Sequence, residues 1–195
     1  MEKKVRQFNI VISGVGGQGL ISMLRILARA AQSQGYEVKS SELHGLAQRG
    51  GSVEAHLRFG EKIFSPLIAL GKADLIISLE MQECLKATSF AGSQTTFLSN
   101  ELLIPIPGQK PPTKDEIVSQ LNEITDKVFV IPAGEICEKE LGTSVTAGIY
   151  LIAFAVFKGI IPLNQEKILE AMKAVLPEKH LEVNKKTFEL AKKHD

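Results

Sequence analysis

Short apolar runs broken by glycine and proline alternate with helical periodicities through the first two thirds of the chain, and the last third reads as helix. Residues 8–13 are mostly apolar and predict a first strand. Leu20, Met23, Leu24, Leu27, Ala28 and Ala31 then recur at helical spacing, predicting a helix over 18–34 that Gly35 ends as a C-terminal cap. Residues 36–40 predict a short second strand, and 41–52 a loop. From 53 to 59 the alternation is strict: Val53, Ala55, Leu57 and Phe59 face one way, and Glu54, His56 and Arg58 the other. Phe59-Gly60-Glu61-Lys62 reads as a hairpin turn returning through Ile63 and Phe64. Ser65-Pro66 reads as the cap and first residue of a short helix through Leu70.

Residues 74–79 form an apolar run suited to a strand buried on both faces, and Glu80-Met81-Gln82-Glu83 opens a helix. A strand follows at 95–99. Pro105, Pro107, Gly108, Pro111 and Pro112 mark a surface excursion, and Thr113-Lys114-Asp115-Glu116 fits a capping box. Residues 127–132 predict the last strand. The stretch 144–158 is apolar nearly all round, so it must be buried on more than one side, between the sheet and later helices or against a partner chain. Residues 165–175 and 181–193 are amphipathic. The expected fold is α/β: one Rossmann-like three-layer domain over 1–195, with a mostly parallel sheet, an antiparallel hairpin and a helical C-terminal third.

Bulk properties narrow the function classes. With 195 residues, 44% hydrophobic and 23% charged, the chain is long enough for one sizeable core. Its 23 basic and 22 acidic residues leave a net charge of +1, so no nucleic-acid or membrane-surface partner is expected. Cys84 and Cys137 are the two cysteines, and neither belongs to a Cys-x-x-Cys pair. A disulfide framework, a zinc ribbon, an iron–sulfur cluster and any other metal site are therefore unsupported, and a reducing compartment is implied. The N-terminus lacks a signal-peptide core, and the longest apolar stretch, 149–157, falls short of the roughly 20 residues that cross a bilayer. A cytoplasmic location is expected.

Two stretches carry candidate chemistry. In Gly14-Val15-Gly16-Gly17-Gln18-Gly19 a strand ends in a tight turn that opens a helix, and the glycines let an anion approach the backbone. Gly14, Gly16, Gly17 and Gly19 are candidate ligand contacts; the alternative is a strand–helix turn with no ligand. The second stretch, 42–52, holds Glu42, His44, Gln48 and Arg49 among Gly45, Gly50 and Gly51. It offers an acceptor, a switchable donor, an amide and a guanidinium suited to a bidentate grip on phosphate or carboxylate. A solvated loop with an Arg–Glu surface pair is the alternative. Both stretches, with Glu80 and Asn100, are expected at the carboxyl edge of the sheet, where open α/β sheets bind ligands. His56, His180 and His194 carry no expected catalytic role, and no nucleophile–base arrangement can be read.

One reading is an NAD(P)-dependent dehydrogenase, with Gly14, Gly16 and Gly19 as its fingerprint and Glu42 as the ribose acid. The hairpin after the second strand and the lack of a substrate domain oppose it. Another is an adenylating enzyme resembling the ubiquitin-activating group, but Ser40-Ser41-Glu42 replaces the expected terminal aspartate and paired zinc cysteines are lacking.

A third accounts for more residues. The glycine turn, Ser41-Glu42-Leu43-His44-Gly45-Leu46-Ala47-Gln48-Arg49-Gly50-Gly51-Ser52-Val53, Ser65-Pro66-Leu67-Ile68 with Gly71-Lys72-Ala73-Asp74, Glu80 with Glu83, and Asn184 with Phe188 resemble one family in order and spacing. That family is the gamma-type domain of 2-oxoacid:ferredoxin oxidoreductases, and the pattern is most similar to its indolepyruvate-type small (beta) subunits. Thr146-Ala147-Gly148 departs from it, where many relatives carry an Asn, so no site role is carried to that helix. The resemblance implies a subunit inactive alone that assists oxidative decarboxylation of a 2-oxoacid, an indolepyruvate or other arylpyruvate, to acyl-CoA. Electrons then pass to ferredoxin. Thiamine diphosphate and iron–sulfur clusters are expected on a larger alpha subunit, and none on this chain. CoA is the co-substrate, with residues 42–52 completing the active-site wall and His44 and Arg49 facing substrate or CoA.

Overall fold

The computed structural model describes residues 5–44, 50–105, 108 and 110–193. In chain order the elements are β1 (Gln7–Val15), α1 (Leu20–Ser33), β2 (Glu37–His44), β3 (Ser52–Gly60), β4 (Leu75–Ser78), α2 (Met81–Lys86), β5 (Thr96–Asn100), α3 (Lys114–Asn122), β6 (Val128–Ile131), α4 (Ala133–Leu141), α5 (Ala147–Phe157), α6 (Gln165–Val175) and α7 (Glu178–Lys193). The strands form one six-stranded sheet in the order β2-β3-β1-β4-β5-β6. β1, β4, β5 and β6 pair in parallel, and β3 runs antiparallel to both of its neighbours. β2 therefore points the same way as β1, one strand removed from it.

Alternation along β1 builds two cores. Ile10 and Ile12 face a layer made by α1, α4, α5, α6 and α7, while Val11 faces α2 and α3 across the sheet. Three layers result, as expected. α5 lies in the larger core with nine of its eleven residues buried, packed on α7, α6, α1 and β5. Its all-round apolar sequence is thus answered within the chain, by the later helices on one side and the sheet on the other. Phe59 stacks between Phe8 at 5.4 Å and Tyr36 at 5.3 Å, closing the core at the far end of β3. The capping box is present: Thr113 Oγ1 accepts from Glu116 N at 3.2 Å, and Glu116 accepts from Thr113 N at 2.7 Å.

Three sequence expectations need correction. The hairpin is not at 59–64: β3 ends at Gly60 and no strand follows there, because both its edges are already taken by β1 and β2. The antiparallel hairpin is β2–β3, joined through residues 45–51. Residues 65–70 form no helix, because side chains of β3 capture their backbone. Arg58 Nη1 donates to the carbonyls of Ser65 at 2.8 Å and Leu67 at 2.9 Å, and His56 Nδ1 accepts from Ile68 N at 3.1 Å. β2 runs to His44, so Glu42 and His44 are strand residues and the loop is shorter than expected.

α4 was not foreseen. Its signals were present in Glu135, Lys139 and the left-handed Gly142 that ends it. No capping side chain precedes it, and its N-terminus is met from elsewhere: Asn100 Oδ1, at the end of β5, accepts from Gly134 N at 3.0 Å.

Candidate functional site at the carboxyl edge of the sheet

The ends of β1, β2 and β4 and the start of β3 meet at one edge, bringing together the glycine turn, Glu42, Gly50, Gly51 and the β4–α2 junction. Gly17 and Gly19 hold φ of 104° and 86°, conformations that side chains disfavour. Gln18 folds its side chain back so that Oε1 accepts from Val15 N at 2.7 Å, and Gln18 N donates to Val15 O at 3.1 Å. Gly16 N donates to Gly51 O at 2.8 Å, and Gly50 N reaches Gly16 O at 3.4 Å. Three of the turn's N–H groups, those of Val15, Gly16 and Gln18, are thus used inside the protein. The 50–51 segment sits on the turn where a dinucleotide pyrophosphate would otherwise lie.

Glu42 is exposed and pairs in register with Ala55, so β3 separates it from β1. Strands are spaced about 4.8 Å apart, so the strand carrying Glu42 stands roughly 10 Å from β1, one strand farther out than the strand that places a ribose-binding acid beside a glycine turn. The dinucleotide geometry is absent. Residues 45–49, which include Gln48 and Arg49, and the side chain of His44 lie outside the described residues; the His44 backbone ends β2. The stems that carry them, Leu43 and Gly50, are at this edge.

Beneath the edge is a buried polar chain. Ser13 Oγ donates to Ser78 Oγ at 2.9 Å, and Ser78 Oγ donates to Glu80 O at 2.7 Å. Glu80 is 1% exposed, and its carboxylate accepts from Glu83 N at 2.8 Å and Ile104 N at 3.0 Å, which compensates its burial. Glu83, also buried, accepts from Ser52 Oγ at the start of β3 and pairs with Lys86. Burial first, and then the charge of Glu80, pushes the Cys84 thiol up to about 12, so it is inert as a nucleophile. Cys137 is raised as well, chiefly by burial, and both cysteines are free. No cluster of three or more His, Cys, Asp or Glu able to hold a metal exists among the described residues. Among them, too, no helix is long and apolar enough to cross a membrane.

Two clefts flank the turn. One of about 430 Å³ runs from Gly19 and Met23 to Thr146, His180 and Asn184. The other, of about 450 Å³, lies between Gly17, Leu79, Asn100, Gly134 and Ala147. Gln18 and Val145 border both, and Val145 is 80% exposed on their shared rim. The second cleft is walled by Glu101, Glu135 and Glu138, and no Lys or Arg among the described residues lines either. His56, which carried no expected role, is a buried structural residue: Nδ1 accepts from Ile68, Nε2 lies 3.0 Å from Glu54, and Phe90 packs edge-on at 4.7 Å.

Comparison with known proteins agrees with this architecture. The family model described as "Pyruvate ferredoxin/flavodoxin oxidoreductase" matches residues 9–193. The chain is 35% identical over 189 residues to the indolepyruvate oxidoreductase subunit IorB of Archaeoglobus fulgidus, covering 94% of this chain and 93% of that one. Its fold is similar to the gamma subunit of a keto/oxoacid ferredoxin oxidoreductase from Geobacter sulfurreducens, with a TM-score of 0.71 at 21% identity, covering 95% and 94% of the two chains. It is similar also to part of the 2-oxoglutarate:ferredoxin oxidoreductase of Magnetococcus marinus, with a TM-score of 0.73 at 19% identity over 98% of this chain and 31% of that longer one. The glycine turn, the antiparallel β3 wedged beside it and the match along nearly the whole length lead to one assignment: the chain belongs to the pyruvate ferredoxin/flavodoxin oxidoreductase family.

Proposed function

We propose that this chain is the small subunit of an indolepyruvate-type 2-oxoacid:ferredoxin oxidoreductase, working in the cytoplasm and inactive without a larger alpha subunit. One observation carries the reading of the site. The 50–51 segment is bonded to the glycine turn through Gly16 and Gly51, so the chain enters β3 against that turn at the carboxyl edge. That edge serves as a wall of an active site completed by the partner. In this reading Arg49 and Gln48 bind the anionic part of CoA or of the 2-oxoacid, the open N–H groups of Gly17 and Gly19 add to the grip, and Glu42 and His44 at the end of β2 contact neutral polar groups of the same ligand. Gly14, Gly16, Gly50 and Gly51 shape the backbone that makes this approach possible.

Thiamine diphosphate and iron–sulfur clusters belong to the partner in this reading. The two cysteines here are buried and separate, a donor set that does not fit a cluster. The complex as a whole oxidises an arylpyruvate to its acyl-CoA and hands the electrons to ferredoxin. The relative from Archaeoglobus fulgidus supports the indolepyruvate class by its name, and the Magnetococcus marinus enzyme is described with 2-oxoglutarate, coenzyme A and succinyl-CoA bound.

Reconstitution tests the proposal. The purified chain alone should not reduce ferredoxin with indolepyruvate, and adding it to the large subunit should restore CoA-dependent reduction. Full activity of the large subunit alone would overturn the assignment. In the complex, Arg49→Ala should raise KM for CoA by about ten-fold or more, the scale of one lost charge-assisted hydrogen bond.

A further inference from the structure

We propose that residues 63–70 form a rigid docking ledge for the larger subunit, with Phe64, Leu67 and Leu70 as the side chains that enter an apolar socket on it. The inference rests on the reading above that this chain works with such a subunit. Phe64 and Leu70 are, with Val145, the most exposed large apolar side chains among the described residues, and Leu67 is about half exposed. They recur at every third position, while Ile63 and Ile68 of the same segment are buried, Ile68 in the core on the α2–α3 side of the sheet. The segment thus has apolar anchors of its own, and polar side chains of β3 fix its backbone. Arg58 Nη1 donates to the carbonyls of Ser65 and Leu67, and His56 Nδ1 accepts from Ile68 N. Lys62 Nζ lies over the Phe64 ring, 5.0 Å from its centre, and most of the ring still faces water. Folding gains nothing from three large apolar groups left in solvent, whereas a backbone fixed beforehand presents them to a partner at little ordering cost.

Position selects the occupant. Glu54, His56 and Arg58 share one face of β3, and Leu43 pairs in register with Glu54, so it stands on that same face of the β2–β3 hairpin. Leu43 is also about half exposed, and it lies at the carboxyl end of β2. Apolar exposure therefore continues from the ledge along the hairpin to the edge at which the larger subunit completes the active site in the functional reading. A second copy of this chain fits less well. A stable interface takes about 800 Å² from each partner, more than three side chains of one short segment supply to a contact with themselves. Such a two-fold contact would also set Lys62 and Lys72, with Glu61 as the only acid in the 61–72 segment, against the same charges of the other copy.

The test titrates the large subunit with the full-length chain and reads both binding and CoA-dependent ferredoxin reduction. The double substitution Phe64→Ser and Leu70→Ser lies on the surface and should leave the urea midpoint of the chain unchanged. It should raise the half-saturating concentration by about ten-fold or more, while activity at saturation stays at the wild-type value. Phe64→Ala alone, read in the same way, takes its place if the double variant lowers the midpoint. An unchanged half-saturation in a folded variant overturns the ledge and leaves the functional reading standing. Sedimentation of the chain alone should not differ between wild type and variant; a dimer that only the wild type forms gives the ledge to a second copy and overturns the proposal. If the wild-type chain binds the large subunit but restores no CoA-dependent activity, the functional reading falls. The ledge is then judged by the dissociation constant: a ten-fold rise in the variant supports it, and an unchanged value overturns it. A wild-type chain that does not bind the large subunit overturns both.

Discussion

At Gly14 a side chain has nowhere to go. A Cβ there would lie 2.7 Å from Gln18 Oε1, 3.2 Å from Leu20 and 3.3 Å from Leu79. Gln18 would have to surrender its bond to Val15 N, so Gly14→Ala should destabilise the protein by about 1–3 kcal/mol, read as a lower urea midpoint at unchanged m-value. Gly148→Ala meets the flexible end of Met23 instead, with Sδ at 2.6 Å, and should cost less, about 1 kcal/mol. The thiols give a second residue-scale expectation. An unfolded cysteine ionises at its ordinary value of 9.0, whereas folded Cys84 holds its proton to about 12. Between those values the unfolded state binds fewer protons than the native state, so the contribution of Cys84 to stability is constant below about pH 9 and falls as pH rises toward 12. Alkaline melts should show this slope, and Cys84→Ala should lessen it, the remainder coming from Cys137 and Tyr150, which burial also raises. Neither cysteine should react with a thiol reagent until denaturant is added.

Elements here are joined by side chains reaching from one to another. Arg58 on β3 bonds to Asn9 Oδ1 at 3.0 Å and to two carbonyls of the 65–67 segment, holding that segment with Phe64 80% and Leu70 71% exposed. Arg58→Ala leaves those carbonyls without their partner and should cost about 2–3 kcal/mol, with faster proteolysis at 64–70. Lysine should not restore it, because one ammonium cannot span Asn9 and both carbonyls at once. Thr113→Ala removes a local cap from an exposed helix end and should cost only about 1 kcal/mol in the same assay. The contrast bears on legibility. The Thr113–Glu116 box was visible because both partners lie within one turn of each other. The helix expected at 65–70 failed because its competing partners, His56 and Arg58, sit on another element and looked like the solvent face of an alternating strand.

For the molecule as a whole, strand order decides what the glycine turn can mean. With β3 inserted between β1 and β2, Glu42 is removed from the turn and residues 50–51 cover part of it. Calorimetry of the chain with NAD, NADP or ATP should therefore show no heat of binding at micromolar ligand. A saturable signal would restore the dinucleotide reading. The same topology carries the glycine turn, Glu42 and residues 50–51 to one edge, while the clefts beside them are apolar or acidic and had no sequence signature. Those clefts are assembled from α1, α4, α5 and α7, elements more than 100 residues apart at the extremes, so no local window contains them.

Spacing along the chain was sufficient for what local forces govern. The 3.6-residue periodicity of α1 and α6, the cap at Thr113, the left-handed Gly35 and the all-round burial of α5 each depend on residues within a few positions of one another. The family pattern in 41–53 was equally local. Strand partners are chosen differently. β3 could turn back on 63–64 or slot between β1 and β2 with the same alternation, and the choice fell to the second because it buries Val53, Ala55, Leu57 and Phe59 under α1 while satisfying backbone groups on both edges. Non-local burial and the pairing of backbone groups along both edges of β3 thus set the topology, and through it the seat of the glycine turn and the reach of Glu83 to Ser52.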